Sequence, residues 1–258
     1  MSLATAVQSS SRLTDRLPGV GLTTMTDPSS GCRLTMATPD AAPDLWIRYL
    51  DGARAVYRAH RVSAALDYDA VADGTSTSVF FAVTDDHDVL LGGLRVQGAY
   101  VSVDQTHAVQ EWAGCDGRDA LIDAIDRRLD AGVVELKTAW VNPLADDPSA
   151  VSSLLARVAL PVVSAMGVRY LMATAAEHVL RRWSSSGGRV DRTVPASPYP
   201  DDRYRTSLMW WDATTLARNA DPTVYAQMRH DTAGLLGPDA LLGSAERIDA
   251  VDRSRHAA

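Results

Sequence analysis

Two charged residues in one apolar run are the first candidates for chemistry. Glu135 and Lys137 lie within Val133–Val141, whose β-branched and apolar residues end at a polar break and so predict a strand. Because side chains alternate along a strand, both would project from the face opposite Val134 and Leu136. A carboxylate there could act as a general base or bind a substrate. The alternative is a surface or buried Glu–Lys pair.

Five further residues could contact a small molecule. Arg95 ends an earlier strand candidate, and its guanidinium could bind a carboxylate in a bidentate manner, although an exposed strand arginine is an equal alternative. Glu111 and Trp112 precede a predicted helix and could line an acceptor pocket or pack locally. His178 begins a later helix and could assist proton transfer, although a surface histidine is commoner there. Tyr204 belongs to an aromatic and charged segment that predicts a loop over one end of the site.

The elements that must position these residues alternate between strands and helices. Apolar residues at three- and four-residue intervals predict helices, and short β-branched runs bounded by Asp, Gly or Pro predict strands. In chain order the patterns predict a strand at 32–36, a helix at 43–65, a hairpin at 78–84 and 89–96, a helix at 119–129, a strand at 133–141, a helix at 149–166, a strand at 168–173, a helix at 175–184 and strands at 189–194 and 204–211. This order predicts an α/β (α+β) fold built on a mixed sheet.

Composition limits the partners and the compartment. The 258 residues carry 25 basic and 32 acidic side chains, a net charge of -7, so we expect no nucleic-acid partner. The arginine pairs at 127–128 and 181–182 are interpreted as solvated helix faces rather than phosphate sites. Cys32 and Cys115 have no metal-ligand spacing and favour a reduced, cytoplasmic chain without a bound metal. No apolar run approaches the roughly 20 residues that span a bilayer, so we expect no membrane association.

Three local motifs and the element order carry a family resemblance. Gly92-Gly93-Leu94-Arg95 is similar to a Gly-x-x-Arg motif, Glu135-Leu136 to a strand-borne Glu-hydrophobe pair, and the segment 181–188 to a helix end followed by glycine. With the order of elements over 31–212, the chain resembles the GNAT acyltransferase superfamily, in the branch of acyl-homoserine-lactone synthases and N-acyl amino acid synthases. We therefore expect three regions: a disordered arm (1–30), the GNAT-like domain (31–212) and a helical C-terminal extension with a frayed end (213–258).

The resemblance implies a fold and an activity. It implies a mixed central sheet with helices on both faces, in which strand 133–141 splays from strand 168–173 and leaves a V-shaped opening. An acyl group would pass there from a thioester donor, acyl-CoA or acyl carrier protein, to the amine of a small molecule such as an amino acid. Backbone N–H groups near Trp140 and Val141 would bind the thioester carbonyl, and Asn142 and Ser149 would lie along the donor. The alternative is a GNAT-fold protein that has lost catalysis and binds a ligand or partner.

Two departures from the family pattern modify these expectations. Where GNAT enzymes carry a glycine-rich phosphate loop, residues 142–150 contain no glycine and include Asp146 and Asp147. The segment predicts a helix start with Asp147 as N-cap and Pro148 at the first helical position, so we expect weak or absent binding of free coenzyme A. Trp183 stands where the family often has a tyrosine that protonates the departing thiolate, and an indole has no proton to give at neutral pH.

Overall fold

Residues 21–240 are described by a computed structural model, and within them a mixed sheet of eight strands forms the centre of the fold. All neighbouring strands pair antiparallel except β5 and β6, which pair parallel. The strands lie in the order β1-β2-β3-β4-β5-β6-β8-β7 and are Leu22–Thr26 (β1), Arg33–Ala37 (β2), Val79–Thr84 (β3), Leu90–Gly98 (β4), Val133–Val141 (β5), Tyr170–Ala176 (β6), Arg189–Val190 (β7) and Thr206–Asp212 (β8).

Helices cover both faces of the sheet. One face carries α1 and α4, and the other carries α5, α6 and α9. The described helices are Pro43–Ala59 (α1), Tyr68–Val71 (α2), Ala108–Glu111 (α3), Arg118–Leu129 (α4), Pro148–Ala156 (α5), Ala159–Met166 (α6), Leu180–Ser185 (α7), Leu216–Asn219 (α8) and Pro222–Leu236 (α9). The mixed sheet with helices on both faces confirms the predicted fold class.

The β5–β6 pairing is short, and its divergence creates an opening. The two strands form only four residue pairs, from Val133 with Tyr170 to Leu136 with Ala173. Beyond them β5 continues along β4, where Val141 pairs with Gly92, while β6 continues along β8. One edge of each strand therefore loses its partner, and the predicted V-shaped separation is confirmed.

The sequence patterns located most elements but missed the short helices α2 and α3, the first strand and a break in one helix. A strand at Leu22–Thr26 pairs with β2 inside the segment predicted to be a disordered arm, so the ordered chain extends further toward the N-terminus than predicted. The helix predicted at 149–166 is two helices, α5 and α6. Helices α8 and α9 occupy the start of the predicted C-terminal extension. Residues 1–20 and 241–258, which hold the rest of the predicted arm and the frayed end, lie outside the described residues.

The α5–α6 segment is the most apolar stretch of the fold. Pro148–Met166 has 19 residues and a mean hydropathy of 1.6, so it is long and apolar enough by composition to span a membrane, contrary to what we expected from the sequence. In this structure 67% of it is buried inside the protein, where Val151, Leu154 and Val162 pack in the core beneath the sheet. Core packing accounts for its composition.

Candidate active site

The opening between β5 and β6 holds a cavity of about 640 Å³. Residues 136–141 of β5 form one wall and residues 173–176 of β6 form the other. Apolar side chains of α1 and α5, among them Val56 and Leu155, close the sides. Because the walls are strand edges without a strand partner, the cavity combines apolar side chains with exposed backbone.

An ion pair forms one end of the cavity. Glu111, at the end of α3, and Lys137 of β5 both line it, and the Lys137 ammonium contacts Glu111 Oε1. Burial alone would raise the pKa of Glu111, but the Lys137 ammonium and His107 outweigh burial and bring this pKa to about 2. Burial would lower the pKa of Lys137, yet Glu111 and Glu135 hold that pKa above its ordinary value. Both groups are therefore ionised at neutral pH.

Glu135 lies behind this pair rather than at the cavity wall. Its side chain is fully buried, and Oε2 accepts hydrogen bonds from the Tyr100 hydroxyl (2.8 Å) and the His107 backbone N–H (3.1 Å). Its Oε1 is 3.6 Å from the Lys137 ammonium. Glu135 and Lys137 do share the face opposite Val134 and Leu136, as predicted, but only Lys137 reaches the cavity.

The carboxylates retain unused hydrogen-bonding capacity. Glu111 Oε2 and Glu135 Oε1 are buried and have no hydrogen-bond partner. A buried polar atom without a partner is unfavourable, so each of these oxygens can still accept a hydrogen bond. Within residues 21–240, no group of three or more His, Cys, Asp or Glu side chains is arranged to hold a metal ion.

A β-bulge shapes the wall that faces the ion pair. The pairing of β4 with β5 shifts between Gly93–Trp140 and Arg95–Lys137, so β5 has one residue more than β4 over this stretch. Thr138 takes up the irregularity at a φ of 52°, in the left-handed region that β-branched residues rarely occupy. Trp140 also lines the cavity, and its indole N–H is buried without a partner.

A second cleft, of about 700 Å³, adjoins the cavity. Ala156 and His178 line both, so the two spaces meet at these residues. Arg182 Nη1 donates a hydrogen bond to the carbonyl oxygen of Ser149 (2.8 Å), and Nη2 donates to the hydroxyl of Ser149 (3.2 Å). Arg181 lies in the cleft, is exposed and makes no ion pair with residues 21–240. Arg182 therefore faces the start of α5 and is not merely part of a solvated helix face, whereas Arg181 remains exposed.

The charges at the start of α5 are partly compensated. Asp147 caps the helix as predicted, and its side chain accepts a hydrogen bond from the Ala150 N–H at 2.9 Å. Arg157 is buried at the inner end of the cleft, with its guanidinium 2.7 Å from Asp27 and 2.8 Å from Asp231. The positive charge that is not already held in these ion pairs comes from Arg181 and Arg182, and the Asp147 cap offsets part of it.

The structure brings some predicted site residues to the cavity and leaves others behind it. His178, Glu111, Tyr204, Trp140 and Val141 line the cavity. Ser149 lines the second cleft.

Three other predicted residues are occupied by structural contacts. Trp112 is fully buried and donates a hydrogen bond to the carbonyl oxygen of Pro195 (2.8 Å). It therefore packs locally, which was the alternative to lining an acceptor pocket. Asn142 caps the following turn, where its side-chain oxygen accepts from the Leu144 N–H (3.0 Å). Arg95 is only 5% exposed and does not line the cavity.

Sequence reasoning gave no site role to two tyrosines of the cavity, although it placed Tyr199 in the loop predicted over one end of the site. Tyr57, on α1, and Tyr199, before β8, both line it near Glu111. Burial raises the pKa of each to about 12, with the Glu111 charge adding to the rise, so both remain neutral hydroxyl donors. Tyr57 was hidden in the sequence because its spacing places it in the apolar stripe of α1. The signal that distinguished it was its hydroxyl in an otherwise apolar pattern.

Comparison with known proteins identifies relatives and a fold. No protein-family profile matches the sequence. The uncharacterized protein Rv1356c of Mycobacterium tuberculosis is 46% identical over 206 residues, which are 80% of this chain and 78% of the relative. The uncharacterized protein Mb1391c of Mycobacterium bovis has the same identity and coverage.

Solved structures with the same fold include two acyl-homoserine lactone synthases. The CoA-dependent synthase MesI superposes with a TM-score of 0.50 at 15% identity, covering 77% of this chain and 94% of MesI. The CoA-dependent synthase BjaI, solved with SAM and isopentyl-CoA, superposes with a TM-score of 0.51 at 12% identity, covering 81% of this chain and 90% of BjaI. The chain thus belongs to the family of these mycobacterial proteins and has the GNAT fold, which it shares with acyl-homoserine-lactone synthases.

Proposed function

We propose that this protein is an N-acyltransferase that moves an acyl group from a thioester donor to the amine of a small molecule such as an amino acid. The observation that carries the proposal is the divergence of β5 from β6. It creates a cavity with unpaired strand backbone on one wall and a buried ion pair at one end. Backbone N–H groups can stabilise the charge that develops on a thioester oxygen, and the ion pair can orient an amine.

The donor would occupy both spaces. Its acyl thioester would lie in the cavity, with the carbonyl near the Trp140–Val141 backbone and the unpaired Trp140 indole N–H. Its phosphate-bearing arm would leave past His178 into the cleft, where Arg181 and Arg182 supply positive charge. A guanidinium binds a phosphate through charge-assisted hydrogen bonds, which compensates for the missing glycine loop. Acyl-CoA and acyl carrier protein both present such an arm.

The acceptor amine would bind at the polar end of the cavity. Its nitrogen lone pair attacks the carbonyl carbon, the carbon–sulfur bond breaks, and the amide and a thiolate form. Glu111 keeps its charge because its pKa is about 2, so it is too weak a base to take the amine proton. Its unpaired Oε2 instead accepts a hydrogen bond from the amine and stabilises the positive charge that develops on nitrogen. The proton then leaves to water.

The departing thiolate needs stabilisation that Trp183 does not provide. Trp183 lines the cavity, but its indole is not an acid at neutral pH. The phenols of Tyr57 and Tyr199, with pKa values of about 12, can donate hydrogen bonds to a thiolate without losing their protons. Water would complete the protonation.

The decisive experiment is product detection with defined donors. The purified protein would be incubated with acyl-CoA thioesters of increasing chain length, or with the same acyl groups on acyl carrier protein, and with an amino acid mixture. Thiol release and amide formation would be followed by absorbance and mass spectrometry. Glu111→Gln should lower turnover strongly. Asp126→Asn, an exposed carboxylate on α4, should leave it unchanged.

A ligand-binding protein without catalysis is the second candidate. Trp183 at the tyrosine position and the Asp147 cap at the start of α5 favour it. In that case no donor would give amide product, yet small molecules that co-purify with the protein would be detected by mass spectrometry and would raise its melting temperature.

A further inference from the structure

The Gly-Gly-x-Arg motif of β4 lies directly against the β5 bulge. A Cβ atom on Gly92 would come within 2.7 Å of the Trp140 carbonyl oxygen, and one on Gly93 would come within 2.7 Å of the Tyr49 ring. Glycine at these positions therefore lets the bulged backbone and the α1 tyrosine approach the strand closely. Gly92 makes room for β5 beside the bulge, and Gly93 makes room for Tyr49 and for the Phe81 carbonyl oxygen, which would lie 2.5 Å from such a Cβ.

Two buried side chains hold the bulged residue itself. The Tyr49 hydroxyl donates a hydrogen bond to the Thr138 carbonyl oxygen at 2.7 Å, and Arg95 Nε donates to the Thr138 hydroxyl at 3.3 Å. Tyr49 is fully buried, and burial raises its pKa well above the ordinary value, so it stays a hydroxyl donor. Each contact restrains a different atom of the residue at positive φ.

Arg95 has no charged partner among the described residues. Its remaining hydrogen bonds go to the Thr77 hydroxyl (3.3 Å) and the Gln97 side-chain oxygen (3.4 Å), and within residues 21–240 no carboxylate lies in ion-pair distance. Burying a guanidinium without a counter-ion lowers the stability of the fold. The presence of Arg95 here is therefore better explained by its contact with Thr138 than by an ion pair. Arg95 is also separated from the cavity by Thr138, which lines the wall.

On the basis of the proposed function, we infer that Tyr49 and Arg95 are positioning residues that hold the bulged Thr138–Ala139 backbone, so that the Trp140–Val141 N–H groups that follow it face the thioester carbonyl. Residues in sparsely populated backbone conformations persist only where their surroundings determine them, and they concentrate at functional sites. The role differs from the one predicted from the sequence, in which Arg95 binds the acceptor carboxylate directly.

The first arm of the test needs no ligand. The ¹³Cα and ¹³Cβ chemical shifts of Thr138 report its backbone conformation in solution by nuclear magnetic resonance. In wild type they should indicate the left-handed region. In Tyr49→Phe and in Arg95→Met they should move toward extended values, and the Ala139 amide signal should move with them. Tyr225→Phe, on the opposite face of the sheet, is the matched control. Unchanged Thr138 shifts in Tyr49→Phe, the mildest change, would overturn the inference.

The second arm separates positioning from acceptor binding. The substrates are octanoyl-CoA and an amino acid acceptor that supports turnover. Tyr49→Phe and Arg95→Met should each lower kcat by about 10–100-fold with little change in either KM, because misplaced backbone N–H groups stabilise the transition state less well. The double variant should be hardly worse than the more damaging single variant, since both contacts act on one bulge. A raised acceptor KM with unchanged kcat in Arg95→Met would instead make Arg95 an acceptor-binding residue. If wild type shows no turnover with any donor, the proposed function fails, while the chemical shifts still decide whether the two residues hold the bulge.

Discussion

Removing the Glu111 charge should abolish a defined part of the acid sensitivity of the fold. The pKa of Glu111 is about 2 in the folded protein, against an ordinary value of 4.5. A carboxyl whose pKa is lowered by folding contributes stability above its unfolded pKa and loses it as the pH falls through the folded value. One pKa unit corresponds to about 1.36 kcal/mol. Between pH 4.5 and pH 2 the unfolding free energy should therefore fall by roughly 3 kcal/mol as Glu111 becomes protonated.

The two partners of the pair should respond differently. In Glu111→Gln, Lys137 keeps Glu135 at 3.6 Å, so the loss at pH 7 should be moderate and the acid-dependent loss should disappear. In Lys137→Met, two buried carboxylates remain without their cation, so the protein should lose about 3–5 kcal/mol at pH 7. Burial then dominates the pKa of Glu111 and raises it, so lowering the pH from 7 should restore part of the stability.

The assay is urea unfolding at a series of pH values from 7 down to 2.5, with wild type and variants measured together. Differences between proteins cancel the titration of the other carboxylates. Asp126→Asn, an exposed carboxylate, is the control and should follow wild type throughout. The reasoning is refuted if Glu111→Gln loses the same free energy as wild type between pH 4.5 and 2.5.

Three further outcomes are expected. Asp147→Ser keeps a capping side chain but removes a negative charge from the cleft. Because this relieves about 1 kcal/mol of repulsion, free coenzyme A should bind about fivefold more tightly by calorimetry. The control Asp67→Ser, at another helix start, should leave the affinity for coenzyme A unchanged. Gly52→Ala places a Cβ 2.2 Å from the Trp140 ring and should lower the unfolding free energy by about 1–3 kcal/mol in urea titrations. The acid limb of the pH–rate profile should follow the pKa of the acceptor amine, so an acceptor with a lower amine pKa should move this limb to lower pH. A limb that stays at one pH for all acceptors would contradict the role given to Glu111.

The sequence predicted the strands around the site because local patterns determine them. The apolar run Val133–Val141 was located to the residue, and the alternation of its side chains placed Glu135 and Lys137 on one face. The strand Leu22–Thr26 was missed because it is an edge strand in which Leu22, Thr24 and Thr26 are exposed, which leaves little apolar signal.

The arrangement of the site depended on contacts between distant segments. No local pattern indicates that Glu111 packs over Lys137, since the two are joined only when α3 folds over the sheet. The positive φ of Thr138 opposes the preference of a β-branched residue, so local propensity argued against the bulge. Likewise the local pattern around Arg182 predicted a solvated helix face. Only the folded crossover between β5 and β6 brings the start of α5 beside this side chain.

The short β5–β6 pairing also divides the sheet into two units, each a ladder of strands. Strands β1 to β5 follow one another in both sequence and space and make the first ladder. Strands β6, β8 and β7 make the second, and within the sheet four residue pairs join it to the first. Amide hydrogens along this seam should exchange with solvent at lower free energy than those inside either ladder. A molecule seated in the opening would bridge the two units and raise the free energy at which they come apart.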